Sequence, residues 1–133
     1  MLNLSEIKAE VDRRTVLIGA SGFVLPTYGR TEDFARPHIE ADSRGYHYVV
    51  VERGRELERI TTRELDELLY HIFQSITFSL AMDFECKHRI AREDCRRQIF
   101  CHQVELLSRL DRRWAARCAQ EQNRVLEENP FRD

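Results

Sequence analysis

His38-Ile39-Glu40-Ala41, Asp42-Ser43-Arg44-Gly45, Tyr46-His47-Tyr48-Val49-Val50-Val51-Glu52, Arg53-Gly54 and Arg55-Glu56-Leu57-Glu58-Arg59-Ile60-Thr61 follow one another without a break. The first, third and fifth runs suit strands, and the third is dense in Tyr and Val. The second is a turn of four residues and the fourth a tight turn ending in Gly. A parallel crossover needs about a dozen residues, which neither connection has. The stretch therefore predicts a three-stranded antiparallel meander. Val49-Val50-Val51 is continuously apolar, so the central strand should be covered, at least in part, on both faces.

Upstream, Leu2 to about Ile18 reads as an amphipathic helix. Asn3 and Glu6 form a capping box, Leu2 and Ile7 a hydrophobic staple, and Ile7, Val11 and Ile18 one face. Gly19 and Gly22 end it. Ala20 to Arg36 is the least regular stretch, punctuated by Pro26, Gly29 and Pro37, and connections this long are often functional. Downstream, Thr61 and Glu64 offer a second capping box. Leu65, Leu68, Leu69, Ile72, Phe73, Ile76, Leu80 and Phe84 then mark a long core helix to about Glu85. Asp94 caps a third helix with Ile99, Phe100, Gln103, Val104, Leu107 and Leu110 on its buried face. Asp111 caps a fourth carrying Trp114, Ala115 and Cys118, and Asn129-Pro130 stops it. The order predicts an α+β fold: an N-terminal helix, the three-stranded meander, then three helices packed on the sheet. At 133 residues, the chain has the length of a single domain, 1–133.

Lysine plus arginine total 21 and aspartate plus glutamate 23, a formal net charge of −2. Thr61 divides them into 9 basic and 10 acidic before it, 12 and 13 after it. Neither half is a basic module, which argues against a nucleic-acid partner. No apolar run reaches the length of a membrane span, and the early acid at Glu6 reads against a signal peptide. The expected compartment is the cytoplasm, and Cys86, Cys95, Cys101 and Cys118 are expected as free thiols. Cys101 and Cys118 read as small apolar fillers.

No glycine-rich phosphate loop follows a strand. Cys86 with His88 and Cys101 with His102 lack metal-ligand spacing, so no metal or cofactor site is assigned. His71, off the apolar stripe of the long helix, reads as half-exposed. Glu56 and Glu58 alternate on one strand face, and the cations from Lys87 to Arg97 are diluted by Glu93 and Asp94, a solvated helix junction. Tyr46 and Tyr48 share a strand face. They are an interface anchor if that face is open and core if helices cover it.

The series Arg36-Pro37-His38-Ile39-Glu40, Gly45 to Gly54, Asp66-Glu67-Leu68-Leu69-Tyr70 with Ile72-Phe73, and Arg96-Arg97-Gln98-Ile99-Phe100 with Glu105-Leu106-Leu107 resembles a numbered family of bacterial polymorphic-toxin immunity proteins, the sixty-third. The resemblance covers about residues 5 to 128. It implies an α+β protein without catalytic activity that binds and neutralises a cognate toxin domain encoded next to it. It assigns no contact residues. Candidate partner contacts, chosen from the residues alone, are Tyr28, Arg30, Glu32 and Asp33 in the irregular stretch and Tyr46, Tyr48 and Glu52 on the central strand. Each requires exposure. The alternative is a self-associating structural or regulatory module, a homodimer through the third and fourth helices or through the sheet edge, with His38 to Ala41 as an edge strand able to pair with a second copy.

Overall fold

Local chemistry sets the first boundary. In the computed structural model, which describes residues 1–133, helix α1 spans Leu4–Thr15. Asn3 Oδ1 accepts from the Glu6 N–H at 2.8 Å, and Glu6 Oε1 accepts from the Asn3 N–H at 3.0 Å. That is the reciprocal box read in the sequence, and Ile7, Val11 and Thr15 form the buried face. The helix stops short of Ile18. The Ala20 N–H closes onto the Thr15 carbonyl at 3.0 Å, with Gly19 left-handed at φ +66°.

One turn of 3-10 helix, Gly22–Val24, leads to strand β1, Thr27–Tyr28. Strands β2 (His38–Asp42), β3 (Gly45–Glu52) and β4 (Arg55–Thr62) are the antiparallel meander. The sheet is nevertheless four-stranded and mixed, in the order β1-β2-β3-β4, because β1 pairs in parallel with β2 through Thr27↔His38 and Tyr28↔Ile39. This corrects the expected three strands: two residues carry no period, and their pairing is made by the fold. It also moves the edge. β2 lies inside the sheet, and the full-length free edge is β4. The register slips between Val50 and Val51, which oppose Glu58 and Glu56, so Leu57 is the extra residue of a bulge. Glu56 and Glu58 thus oppose adjacent β3 residues and do not share a face.

Helix α2 spans Leu65–Lys87. Its expected cap at Thr61 is not formed. Thr61 is still in β4, where its hydroxyl meets His47 Nδ1 at 2.8 Å, and Thr62 Oγ1 accepts from the Glu64 N–H at 3.0 Å. Helices α3 (Cys95–Ser108) and α4 (Arg112–Glu128) start at Asp94 and Asp111, each accepting from a first-turn amide. The chain forms two compact units, Met1–Phe73 and Gln74–Asp133, with the boundary inside α2.

In the first unit, residues paired across strands share a face. Ile39, Tyr46 and Tyr48 point to the helices: the Leu2 N–H donates to the Tyr46 hydroxyl at 2.7 Å, and the Tyr48 ring lies 6.2 Å from that of His71. Leu68, Leu69, Tyr70, Ile72 and Phe73 of α2 complete this core. In the second unit α3 packs on α4, and Ile99, Leu106, Leu107, Trp114, Ala115 and Cys118 are buried together with Ile76, Thr77 and Ala81 of α2. Buried Gln103 ties the helices. Its Nε2 donates to the Gln74 carbonyl at 3.0 Å, and its Oε1 accepts from Gln122 Nε2 at 3.1 Å. No helix is long and apolar enough to cross a membrane.

Candidate partner-binding surface

The seven candidate contacts divide by the face on which the strands place them. Tyr46 is 3% and Tyr48 6% exposed. α1 and the first turns of α2 cover their face, so both are core and neither meets a partner. Glu52, at the far end of β3, is exposed, because burial along this strand gives way from Val50 onward. The coverage expected of Val49-Val50-Val51, at least in part on both faces, is full for Val49 and partial for Val50 and Val51.

The irregular stretch does reach the surface. Arg30 and Glu32 are exposed and pair at 3.2 Å. Tyr28 is half-buried; burial, with the Asp12 carboxylate nearby, pushes its hydroxyl pKa up, so it serves as a neutral group. Tyr28 and Arg30 line a cleft of about 520 Å³ with Lys8, Asp12 and Arg36. Asp33 is half-buried for a structural reason. Its two carboxylate oxygens accept from the Arg53 and Gly54 amides at 3.1 and 3.2 Å, so the loop caps the β3–β4 hairpin turn. Of the seven, the fold brings Asp33 to the hairpin end where Glu52 lies, with Tyr28, Arg30 and Glu32 on the same segment as Asp33.

The opposite sheet face carries a polar ladder. His38 Nε2 bonds Glu40 Oε2 at 2.7 Å, Glu40 Oε1 accepts from Arg59 at 3.2 Å, and Arg59 also reaches Glu56 at 2.8 Å. His47 bridges Thr61 and Asp42, both at 2.8 Å. The His38 bond, with help from Arg59, holds the Glu40 carboxyl below the usual range, and the His47 bond does the same for Asp42. His38 Nδ1 is buried without a partner.

In the second unit, Lys87 pairs with Asp83, Arg89 with Glu85, Arg96 with Asp94 and Arg97 with Asp133, so most of the cationic run at this helix junction is ion-paired. His71 is half-exposed and bonds Glu67 at 2.9 Å. Cys101 is exposed, contrary to the expected filler role, because it sits on the outer side of α3; Cys118 is buried. All four thiols are free, and no three His, Cys, Asp or Glu side chains are grouped to hold a metal ion.

The family model described as Immunity protein 63 matches residues 42–124, from the end of β2 to within α4. The chain belongs to the Immunity protein 63 family. No curated protein matches it, and no solved structure does. The match is narrower than the resemblance read over about residues 5 to 128. The meander from β3 onward, α2, α3 and most of α4 of this immunity-family chain lie inside it, whereas Tyr28, Arg30, Glu32 and Asp33 precede it.

Sequence reasoning missed Phe34 and Arg53, which stand beside Asp33 at the same corner. A signal was present: Phe34 is a lone large apolar residue in the polar run Thr31 to Arg36, with no periodic neighbour to help bury it.

Proposed function

We propose that this protein is a bacterial cytoplasmic immunity protein that neutralises a toxin domain encoded beside it by binding it one to one, without catalysis or cofactor. The observation that carries the proposal is the family match over residues 42–124. The surface around the irregular stretch supports it. Exposed Arg30, Glu32 and Glu52 supply charges of both signs, and complementary charge steers encounter while a few anchors hold the complex. Tyr46 and Tyr48 take no part, since reaching them would require stripping helices from the sheet. The partner is a protein surface, not nucleic acid or membrane.

The test is growth of cells expressing the adjacent gene alone or with this protein, together with co-purification. Rescue with an equimolar complex is expected. Absence of both rescue and complex would refute the reading. One observation favours self-association as a second reading: β4 is eight residues long and pairs with β3 only. Its exposed charges oppose edge-to-edge pairing. A homodimer through β4 predicts twice the monomer mass in light scattering without any other protein.

A further inference from the structure

Five non-glycine residues have left-handed backbones, and four of them meet at one corner: Asp33 (φ 58°), Phe34 (φ 54°), Ala35 (φ 59°) and Arg53 (φ 53°). Side chains rarely adopt this conformation, and runs of it persist only where the surroundings enforce it. Here the enforcement is visible. Besides the two Asp33 carboxylate bonds to the Arg53 and Gly54 amides, the Ala35 N–H donates to the Val51 carbonyl at 3.0 Å, and the Arg36 N–H to the Asp33 carbonyl at 3.1 Å. The chain is thus pinned on both sides of Phe34. Phe34 itself is 78% exposed, more than any other large apolar side chain. A fixed, strained loop that holds a phenyl ring in water contributes nothing to the core.

The surroundings indicate what covers it. Ala35 bonds to Val51, and Val51 pairs with Glu56 beside the bulged Leu57, which is 58% exposed. Adjacent strands lie about 4.8 Å apart, so the loop and Leu57 are separated by roughly 10 Å across β3. Between them the turn carries Arg53 and Arg55, both exposed and closing no ion pair, with Glu52 opposite Arg55 across the ladder, whereas Arg30 pairs with Glu32 and Arg59 with Glu40 and Glu56. An exposed ring beside two guanidiniums that outnumber the one carboxylate, Glu52, at the same turn is complementary to an apolar pocket rimmed by carboxylates.

We infer that this corner is the docking hot spot: Phe34 enters an apolar pocket of the toxin domain, and Arg53 and Arg55 engage carboxylates on its rim. The inference rests on the proposed function and names its contact surface. Because the loop is held before binding, little ordering entropy is lost when the ring is buried.

The test measures binding of the full-length chain to the purified product of the adjacent gene, by calorimetry and by association kinetics at several salt concentrations. Phe34→Ala is expected to weaken affinity by about 30-fold or more, the scale of a hot-spot residue. Its melting temperature should stay close to that of the wild type, since the residue is 78% exposed. Arg53→Glu combined with Arg55→Glu is expected to slow association and flatten its salt dependence. Wild-type binding with Phe34→Ala within about 3-fold overturns the anchor and leaves neutralisation standing. Unchanged association kinetics in the arginine reversal overturns the acidic rim. Failure of the wild type to bind overturns the proposed function and the anchor together.

Discussion

A Cβ at residue 45 would stand 2.6 Å from the Thr62 carbonyl oxygen and 3.1 Å from its carbon. Gly45 closes the β2–β3 turn at φ +133°, where the ends of β3 and β4 run side by side and leave no room for a side chain. Neither obstacle can move, because both belong to backbone. Gly45→Ala should therefore destabilise the protein by about 2–3 kcal/mol in chemical denaturation. Gly54→Ala is the control, since its φ is +74° but nothing lies within 4 Å of the added carbon. It should cost about 1 kcal/mol, the conformational part alone. Equal losses at the two positions would show that the Thr62 contact is relieved by shifting β4. The sequence already marks Gly45 as a turn residue. Its close approach to β4 was hidden because that depends on a strand seventeen residues away.

Elements announced by chemistry within a turn or two of their ends were readable. The Asn3–Glu6 box and the Asp94 and Asp111 caps need only neighbouring residues, and all three formed. Elements settled at a distance were not. β1 exists because Thr27 and Tyr28 meet β2, and Thr61 failed as a cap because His47 claims its hydroxyl. The face of Tyr46 and Tyr48 was undetermined for a related reason: their strand is buried on both sides over its first half, so alternation is silent there. The same logic explains why Phe34 was missed, since its exposure follows from a loop pinned to a hairpin twenty residues on. For α2 the apolar stripe was decisive, and Phe73 is 0% exposed. Phe73→Ala should cost about 3–5 kcal/mol in urea unfolding, and a loss below about 0.5 kcal/mol would remove this helix from the core. The residues after α4 give a pH prediction. Phe131 stacks beneath Arg97 at 4.1 Å, Asp133 grips Arg97, and Asp94 accepts from Arg96 and from the Arg132 amide. The Arg96 bonds hold the Asp94 carboxyl well below its ordinary range, with the Arg132 amide assisting; the Arg97 bonds lower Asp133. Groups depressed by folding stabilise above their unfolded value, about pH 4, and lose that contribution as pH falls through the folded value. Nuclear Overhauser contacts between Phe131 and Arg97 should persist to about pH 4 and disappear below it. Loss between about pH 6 and 5 would mean that other groups hold the segment.

At the scale of the molecule the question is how two compact units, Met1–Phe73 and Gln74–Asp133, share one chain. The boundary does not fall in a flexible linker, where separable domains usually part. It falls inside the 23-residue helix α2, between Phe73 and Gln74. Each unit takes part of its core from its own stretch of that helix: Leu68, Leu69, Ile72 and Phe73 for the first, Ile76, Thr77 and Ala81 for the second. Melting either unit removes the tertiary support of one half of α2, and helix segments of about ten residues are marginal by themselves in water. The loss should therefore propagate, so the chain is expected to unfold as one cooperative domain. Its aromatic residues allow a direct measurement. Tyr28, Tyr46, Tyr48 and Tyr70 all lie in the first unit, and Trp114, the single tryptophan, lies in the second. Tyrosine near-ultraviolet signals and tryptophan fluorescence thus report the units independently. Coincident denaturant midpoints are expected, the standard test of two-state behaviour. Separated midpoints would show two domains joined by a helix. Ser75→Pro sharpens the comparison, since it removes a hydrogen bond of α2 next to the boundary and breaks or kinks the helix through which the units are coupled. If the helix is what unites the units, the two probes should separate in that variant. If they still coincide, cooperativity is carried by something other than α2.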